Sequence, residues 1–335
     1  RTNDLRVMSP TSYHCSTPQC VFKRDCKDKF LYLPHQIFLH LSFVMGHKAG
    51  FVNIIGKPNV GKSTLMNELV GEKLSIITAK KQTTRHRILG IVNDENYQVV
   101  FSDTPGYLKP GYKLQESMMK FVEDALLDAD VFLYITAVDE KSEDDEIVEK
   151  LGKTDVPVVV VINKIDLGDQ RSLEALADGW RQKLPDARVL AISALHKFNV
   201  DTLFNLILEL IPESPPFYPK DELTDKTMRF FVSEIIREKI FLNYHQEVPY
   251  STEVIVDAYK EEAHIINIMA YIFVARESQK AIILGHEGKA IRKMATEARK
   301  DIEDFVGKKV FLEVRVKVSK DWRDDPQKLK HLGYE

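Results

Sequence analysis

The sequence predicts two folded units in series: a doubly wound, mostly parallel α/β sheet, then a smaller α+β unit. Three observations carry this reading. From Gly50 to Leu210 apolar runs alternate with helical stretches. Runs such as Val158–Ile162 show no polar alternation, as strands buried on both faces do not. Beyond the break Pro212-Glu213-Ser214-Pro215-Pro216-Phe217-Tyr218-Pro219 the order of elements changes to α-β-β-α-α-β.

A length of 335 residues suits about two domains. Hydrophobic residues make up 44% and charged residues 29%, enough for buried cores under a soluble surface. The formal charge of -3 conceals an asymmetry, because Lys280–Glu335 holds 14 Lys+Arg against 10 Asp+Glu. That local excess suits a surface facing a polyanion.

Residues 1–44 read as a disordered or non-native extension, with Met45 as the expected start of the folded protein. The apolar run from Phe30 to Val44 is interrupted by Pro34, His35, Gln36 and His40, so it is too short and broken for a membrane span. All three cysteines, Cys15, Cys20 and Cys26, lie in this segment. An odd count at one end argues against a disulfide framework, and their spacing with His14 matches no zinc pattern.

Strands are expected at Phe51–Ile55, Tyr97–Ser102, Val131–Ala137, Val156–Ile162 and Arg188–Ile192. Helices are expected at Leu114–Leu127, Asp144–Leu151, Leu173–Lys183 and Val200–Leu210, closing a domain over 46–212. Four prolines in eight residues cannot continue a helix or pair in a central strand, so 213–226 reads as a linker. Over 227–335 the expected elements are a helix from Thr227 to Phe241, strands Glu253–Tyr259 and Ile265–Ala275, a short helix Lys280–Leu284, a helix Lys289–Phe305 and a strand Lys309–Val318.

Chemistry gathers at the strand ends. Gly56-Lys57-Pro58-Asn59-Val60-Gly61-Lys62-Ser63-Thr64 sits between the first strand and a helix. Its glycines let successive N–H groups point into one hollow that fits phosphate oxygens, and the new helix adds its positive end. Lys62 would reach the β- and γ-phosphates and the Ser63 hydroxyl would ligate Mg²⁺. Asp103-Thr104-Pro105-Gly106 follows the second expected strand; Asp103 can hold Mg²⁺ through a water and the Gly106 N–H can meet the γ-phosphate. Asn163-Lys164-Ile165-Asp166 follows the most apolar strand. Asp166 can accept from the paired N1–H and N2 amine that guanine presents and adenine lacks. Asn163 would meet the base edge, and the Lys164 stem would pack on the ring. A backbone N–H of Ser193-Ala194-Leu195 would meet O6. Gln82-Thr83-Thr84-Arg85-His86-Arg87 lies between the first helix and the next strand, and a threonine there can complete the Mg²⁺ shell while the γ-phosphate is present.

In the second unit Gly285-His286-Glu287-Gly288 lies between two helices, and Lys289, Arg292 and Lys293 fall on the outer face of the second. Glycines let such a loop approach a nucleic-acid backbone, and the helix start favours phosphate. With its element order, the unit resembles a type II KH domain, which clamps single-stranded RNA.

Together these residues resemble the translation-factor-like branch of P-loop GTPases, and more narrowly the Era family, a P-loop GTPase domain with an appended type II KH domain. The resemblance runs from about Gly46 to Glu335. It rests on Gly56–Ser63, Gln82–Arg87, Asp103–Gly106, Asn163–Asp166 and the tail from Trp322-Arg323-Asp324-Asp325 to Leu332-Gly333-Tyr334. It implies GTP and GDP as ligands, Mg²⁺ held by Ser63, Thr84 and Asp103, and Thr84 rather than Thr83 as the switch residue. It further implies the 3′ end of small-subunit ribosomal RNA as target, a role in small ribosomal subunit assembly, a cytoplasmic monomer, and for the family as a class a peripheral contact with the inner face of the membrane. Tyr107 stands where Ras-like enzymes place a water-orienting glutamine, so slow intrinsic hydrolysis is expected. Asn59 resembles an asparagine that helps hold K⁺ in related GTPases. The competing reading is a membrane-associated signalling or cell-cycle GTPase whose C-terminal domain binds a protein.

Overall fold

The computed structural model describes residues 46–140 and 146–334. The N-terminal extension, its cysteines and Met45 therefore lie outside the described residues, as do the first two residues of the helix expected from Asp144.

The first domain is a six-stranded sheet in the order β2-β3-β1-β4-β5-β6. Its strands are β1 Lys48–Gly56, β2 Ile88–Asn93, β3 Tyr97–Asp103, β4 Val131–Ala137, β5 Val158–Asn163 and β6 Arg188–Ala191. All pairings are parallel except β2 with β3. Helices α1 Lys62–Val70, α2 Lys113–Leu127, α3 Glu146–Leu151, α4 Gln170–Lys183 and α5 Val200–Leu210 complete the unit. Strand β2 was not among the expected strands. It is an antiparallel edge strand of only six residues, and Gly90 in its middle breaks the apolar run that would have marked it. The space is tight there: a Cβ would lie 2.7–2.8 Å from Val70 Cγ2 and Met66 Cε, so those side chains would have to shift. As the fold class requires, the strands' carboxyl ends deliver Gly56, Asp103 and Asn163 to one edge.

The second domain consists of α6 Met228–Asn243, β7 Thr252–Glu261, β8 Ile265–Val274, α7 Glu277–Leu284, α8 Lys289–Val306 and β9 Lys309–Val318, in the expected order. Its sheet pairs β7 with β8 antiparallel and β8 with β9 parallel. Strand β8 alternates strictly between buried and half-buried residues, so one face meets the helices. Met294, Ala298 and Ile302 recur at helical spacing along α8 and are fully buried against that face.

Two stretches pack differently from expectation. The proline-rich segment is a strap, not a free spacer. Gln98 Oε1 accepts from the Phe217 and Tyr218 N–H groups, Ile91 N–H donates to the Leu223 carbonyl, and Thr224 Oγ1 donates to the Leu89 carbonyl. It thereby covers the open edge of β2, which would otherwise present unpaired backbone groups. The tail beyond β9 packs back onto the first domain. Trp322, Leu329 and Tyr334 are buried in the same apolar cluster as Leu114, Met118 and Tyr134 of the first domain. A short helix α9 Pro326–His331, also absent from the expected elements, carries Leu329 into that cluster. The Leu114 N–H donates to the Arg323 carbonyl across the same boundary.

Trp322 is fully buried, and its indole N–H donates to the Ser251 carbonyl at 3.1 Å. Trp322→Ala should therefore cost about 3–5 kcal/mol, read as a lower urea midpoint at unchanged slope. A variant within 1 kcal/mol of the parent, roughly the range of an exposed substitution, would show that the tail does not bind the domains together.

Candidate functional site

The loop after β1 is shaped by residues that must turn the wrong way for an ordinary side chain. Gly56, Asn59 and Gly61 all have positive φ. A Cβ on Gly56 would meet the Ile135 carbonyl oxygen at 2.2 Å, and one on Gly61 would meet Asn163 Nδ2 at 2.2 Å, so neither position admits another residue. Gly106 is equally constrained, because a Cβ there would lie 2.7 Å from Pro58 backbone atoms. The Tyr107 N–H donates to the Gly56 carbonyl at 3.0 Å, which seats the Asp103–Gly106 loop against the phosphate loop.

Between these loops lies a cleft of about 480 Å³. Gly61, Lys62, Ser63, Thr84, Gly106 and Lys164 line it, together with Ile76, Asp139 and other residues of the 76–84 segment. Lys62 is buried, and its Nζ donates to the Gly56 and Lys57 carbonyls at 3.0 and 2.9 Å. Burial lowers its pKa to about 8, even though Asp103 and Glu140 pull the other way.

Three residues separated by up to 40 positions in sequence meet at the end of the cleft. Ser63 Oγ donates to Asp103 Oδ2 at 2.7 Å and lies 2.9 Å from Thr84 Oγ1, which is itself 3.4 Å from Asp103 Oδ2. Asp103 is fully buried, and its other oxygen, Oδ1, has no hydrogen-bond partner. Burial raises the pKa of this carboxyl, with Lys62 opposing. A buried carboxylate oxygen without a donor beside two hydroxyls fits a hard divalent cation with oxygen ligands. The residues therefore fit Mg²⁺, with Ser63, Thr84 and Asp103 as the groups that would hold it.

Lys164 also lines the cleft; it belongs to Asn163–Asp166, which is bonded to Ser193–Leu195. Asp166 Oδ1 accepts from Ser193 Oγ at 2.6 Å, and that bond holds its carboxyl below its ordinary value. Lys164 has φ 60°, which swings its ammonium to Asp139 at 3.3 Å along the cleft wall. Asn163 does something the sequence did not suggest. Its Nδ2 donates to the Val60 carbonyl at 2.8 Å and its Oδ1 accepts from the Ala194 N–H at 3.0 Å. With one of its two amide N–H groups and one lone pair of its oxygen, Asn163 ties the phosphate loop to the Ser193–Leu195 loop. Asn59 Nδ2 donates to the Ala79 carbonyl at 3.0 Å, joining the phosphate loop to the 76–84 segment. Tyr107 turns away from the cleft, its hydroxyl 3.5 Å from Glu146 Oε2.

For Gln82–Arg87 the sequence pointed to a threonine at the Mg²⁺ site and assigned the basic residues no partner. Arg85 is fully buried and reaches into the second domain. Arg87 donates to Asp128 at 2.7 and 2.9 Å and to Ser102 at 2.7 Å. The signal available in the sequence was only the density of cations next to a threonine.

In the second domain Gly285 and Gly288 have φ +67° and +72°, and Glu287 between them also has a positive φ. The loop stands out from the surface, with His286 and Glu287 side chains 83% and 67% exposed. Lys289, Arg292 and Lys293 are gathered on it by the first turns of α8; Lys289 pairs with Glu287 at 3.1 Å. Arg299, further along the same helix, is bound to Glu303.

A family model described as 50S ribosome-binding GTPase matches residues 51–164, and one described as KH domain matches residues 247–323. The chain is 46% identical over 303 residues to a chloroplastic ERA-like GTPase of Oryza sativa subsp. japonica, covering 88% of this chain and 71% of that protein. It is 44% identical over 290 residues to the GTPase Era of Clostridium kluyveri, covering 86% and 99%. A solved structure of Era with MgGDPNP and nucleotides 1506–1542 of 16S ribosomal RNA superposes with a TM-score of 0.82 at 39% identity, covering 86% of this chain and 99% of that one. An Aquifex aeolicus Era variant bound to GDP and AlF₄⁻ gives the same score, identity and coverage.

The state of Lys62 has a measurable consequence. Phosphate oxygens beside its ammonium would raise its pKa from about 8, so nucleotide binding takes up a proton once the free group has begun to lose it. Affinity for GDP should therefore hold constant below pH 8 and fall as the pH rises above it. Calorimetric titration at pH 8.5 in two buffers of different ionisation heat should show proton uptake, and Lys62→Arg should abolish it. No uptake in the parent protein would contradict a buried, partly neutral Lys62.

Proposed function

This chain belongs to the Era family of GTPases, and we propose that it is a GTP-hydrolysing switch that binds the single-stranded 3′ end of small-subunit ribosomal RNA and acts in small ribosomal subunit assembly. One observation carries the nucleotide half: Ser63, Thr84 and Asp103 converge at a cleft that Lys164, two residues before Asp166, also lines. The RNA half is supported by the exposed loop Gly285–Gly288 with its following cations, and by the RNA-bound Era structure that superposes on this chain.

In this reading the N–H groups of Gly56–Thr64 surround the phosphates of GTP. Lys62 leaves the loop carbonyls for the β- and γ-phosphates. Bound Mg²⁺ neutralises charge that develops between those phosphates. Ser63 and Thr84 offer it hydroxyls and Asp103 its orphan oxygen, and the Gly106 N–H meets the γ-phosphate. Asp166 accepts from the guanine N1–H and N2 amine, and the Lys164 stem lies along the ring. Within Ser193–Leu195, the Ser193 and Ala194 N–H groups are spent on Phe198 and Asn163, so the O6 contact falls to Leu195, which is 72% exposed. Asn163 positions both loops.

Among the described residues, the carboxylate that lines the cleft, Asp139, is paired with Lys164, and the Tyr107 hydroxyl lies 3.5 Å from Glu146. Intrinsic turnover is therefore slow. Asn59 is the candidate K⁺ ligand: its amide nitrogen is held by Ala79, which fixes the carboxamide at the cleft rim. Hydrolysis should run at least several-fold faster in K⁺ than in Na⁺, and Asn59→Ala should remove the difference. Equal rates in the two salts would exclude the role.

No helix among the described residues is long and apolar enough to cross a membrane. The alternative, a C-terminal domain that binds a protein, has no comparable support beside a KH match over 247–323.

The RNA test uses a short single-stranded RNA matching the 3′ end of small-subunit ribosomal RNA, with GTP analogue or GDP present. Binding should be tight and fall steeply with salt, as phosphate contacts do. Gly288→Asp should weaken it at least tenfold, since the new carboxylate meets phosphate; nothing lies within 4 Å of the added Cβ, but φ +72° strains the backbone, so the variant is compared only once thermal melting shows it folded. Absent or salt-insensitive binding would point to a protein partner.

A further inference from the structure

Residues 71–87, which carry Thr84, form neither helix nor strand. Their conformation must come from what grips them. The first domain holds Ala79 through Asn59 and Gln82 through the Tyr112 hydroxyl. The residues on either side of Thr84 are gripped from the second domain. Arg237, fully buried in α6, donates through Nη2 to the Thr83 carbonyl, while its Nε and Nη2 clasp Glu234. Arg85, on the other side of Thr84, donates to Glu253 Oε2 at 2.8 Å, to the Thr252 carbonyl at 2.6 Å and to the Pro249 carbonyl at 3.2 Å. Tyr334 donates to the same Glu253 oxygen at 2.6 Å. Lys80 adds a third anchor: its ammonium caps the carbonyls of Phe241 and Tyr244 at the end of α6.

We propose that Arg237 and Glu253 of the second domain are positioning residues for GTP hydrolysis: by fixing Thr83 and Arg85 on either side of Thr84, they set the Thr84 hydroxyl beside Ser63 and Asp103. The proposal rests on reading those three residues as the Mg²⁺ site. Neither Arg237 nor Glu253 touches the cleft. Their effect runs through two backbone neighbours, and the buried setting makes it rigid, because a guanidinium removed from water is held to the few acceptors that compensate it. A Thr84 hydroxyl 2.9 Å from Ser63 is the product of that restraint. The second domain thereby completes a catalytic centre whose other parts all come from the first. The GDP complex needs only the phosphate loop and the guanine loops, so it should be indifferent to the restraint.

The test is steady-state and single-turnover GTP hydrolysis by the full chain across an Mg²⁺ titration, with GDP affinity measured in parallel. Arg237→Ala and Glu253→Gln should lower kcat on the order of 10–100-fold, the effect of a misplaced catalytic group, and raise the Mg²⁺ concentration for half-maximal rate. GDP affinity should stay within twofold. Arg237→Lys, which can still donate to the Thr83 carbonyl, should recover part of the loss. Should an interior variant fail to fold by thermal melting, Lys80→Ala, whose side chain lies nearer solvent, is read by the same criteria. Folded variants with parental kcat and Mg²⁺ dependence would overturn the proposal while leaving the GTPase reading intact. Loss of GDP binding by folded variants would overturn both.

Discussion

The structure depends on a cluster of buried charges between the domains. Arg85 and Arg237 are fully buried, and Glu234 and Glu253 nearly so. Burial alone would push Glu253 up, but the Arg85 and Arg237 guanidiniums outweigh it and hold its carboxyl below the ordinary value. Burial likewise opposes the charge on Arg237, yet Glu234 more than restores it. His86, stacked on Tyr334 at 4.4 Å, adds no charge, because burial lowers its pKa to about 4. Such a cluster is weak evidence of stability, since the desolvation cost is close to the Coulombic gain. It is strong evidence of registry: removing one member leaves an uncompensated charge in the interior, typically about 3–5 kcal/mol. The domains are thus held in one arrangement more than they are held tightly.

That registry explains why two domains share apolar cores. Phe231 of α6 is buried in the cluster that contains Val52 and Ile54 of β1, and Trp322 and Tyr334 from the tail in the cluster with Leu114. The strap over 213–226 and the tail after β9 both cross back to the first domain, so covalent connection and packing coincide. The 71–87 segment then becomes a part made of both domains, bonded to the cleft through Thr84 and to the second domain through Thr83 and Arg85.

Much of this was legible in the sequence, and the physics says which parts were. Gly56–Thr64, Asp103–Gly106 and Asn163–Asp166 announce themselves because phosphate and guanine chemistry demands particular residues at fixed spacing. The parallel strands show as unbroken apolar runs, and Gly285–Gly288 between two helices foretold the exposed loop. What escaped was whatever depends on distant partners. Nothing near Arg85 in the sequence names Glu253, 168 positions away, as its partner. Nor does the sequence say that Asn163 also binds the Val60 carbonyl and the Ala194 N–H. Strand β2 escaped because Gly90 sits in it, and the tail because nothing in Trp322–Tyr334 says which domain it will enter.

Calorimetric unfolding of the full chain, with and without Mg²⁺ and GDP, tests most directly whether the domains form one unit. If the buried cluster and shared cores join them, there should be a single transition whose calorimetric and van't Hoff enthalpies agree, and ligand should move all of it upward. Two separable transitions, with only one responding to GDP, would contradict the account.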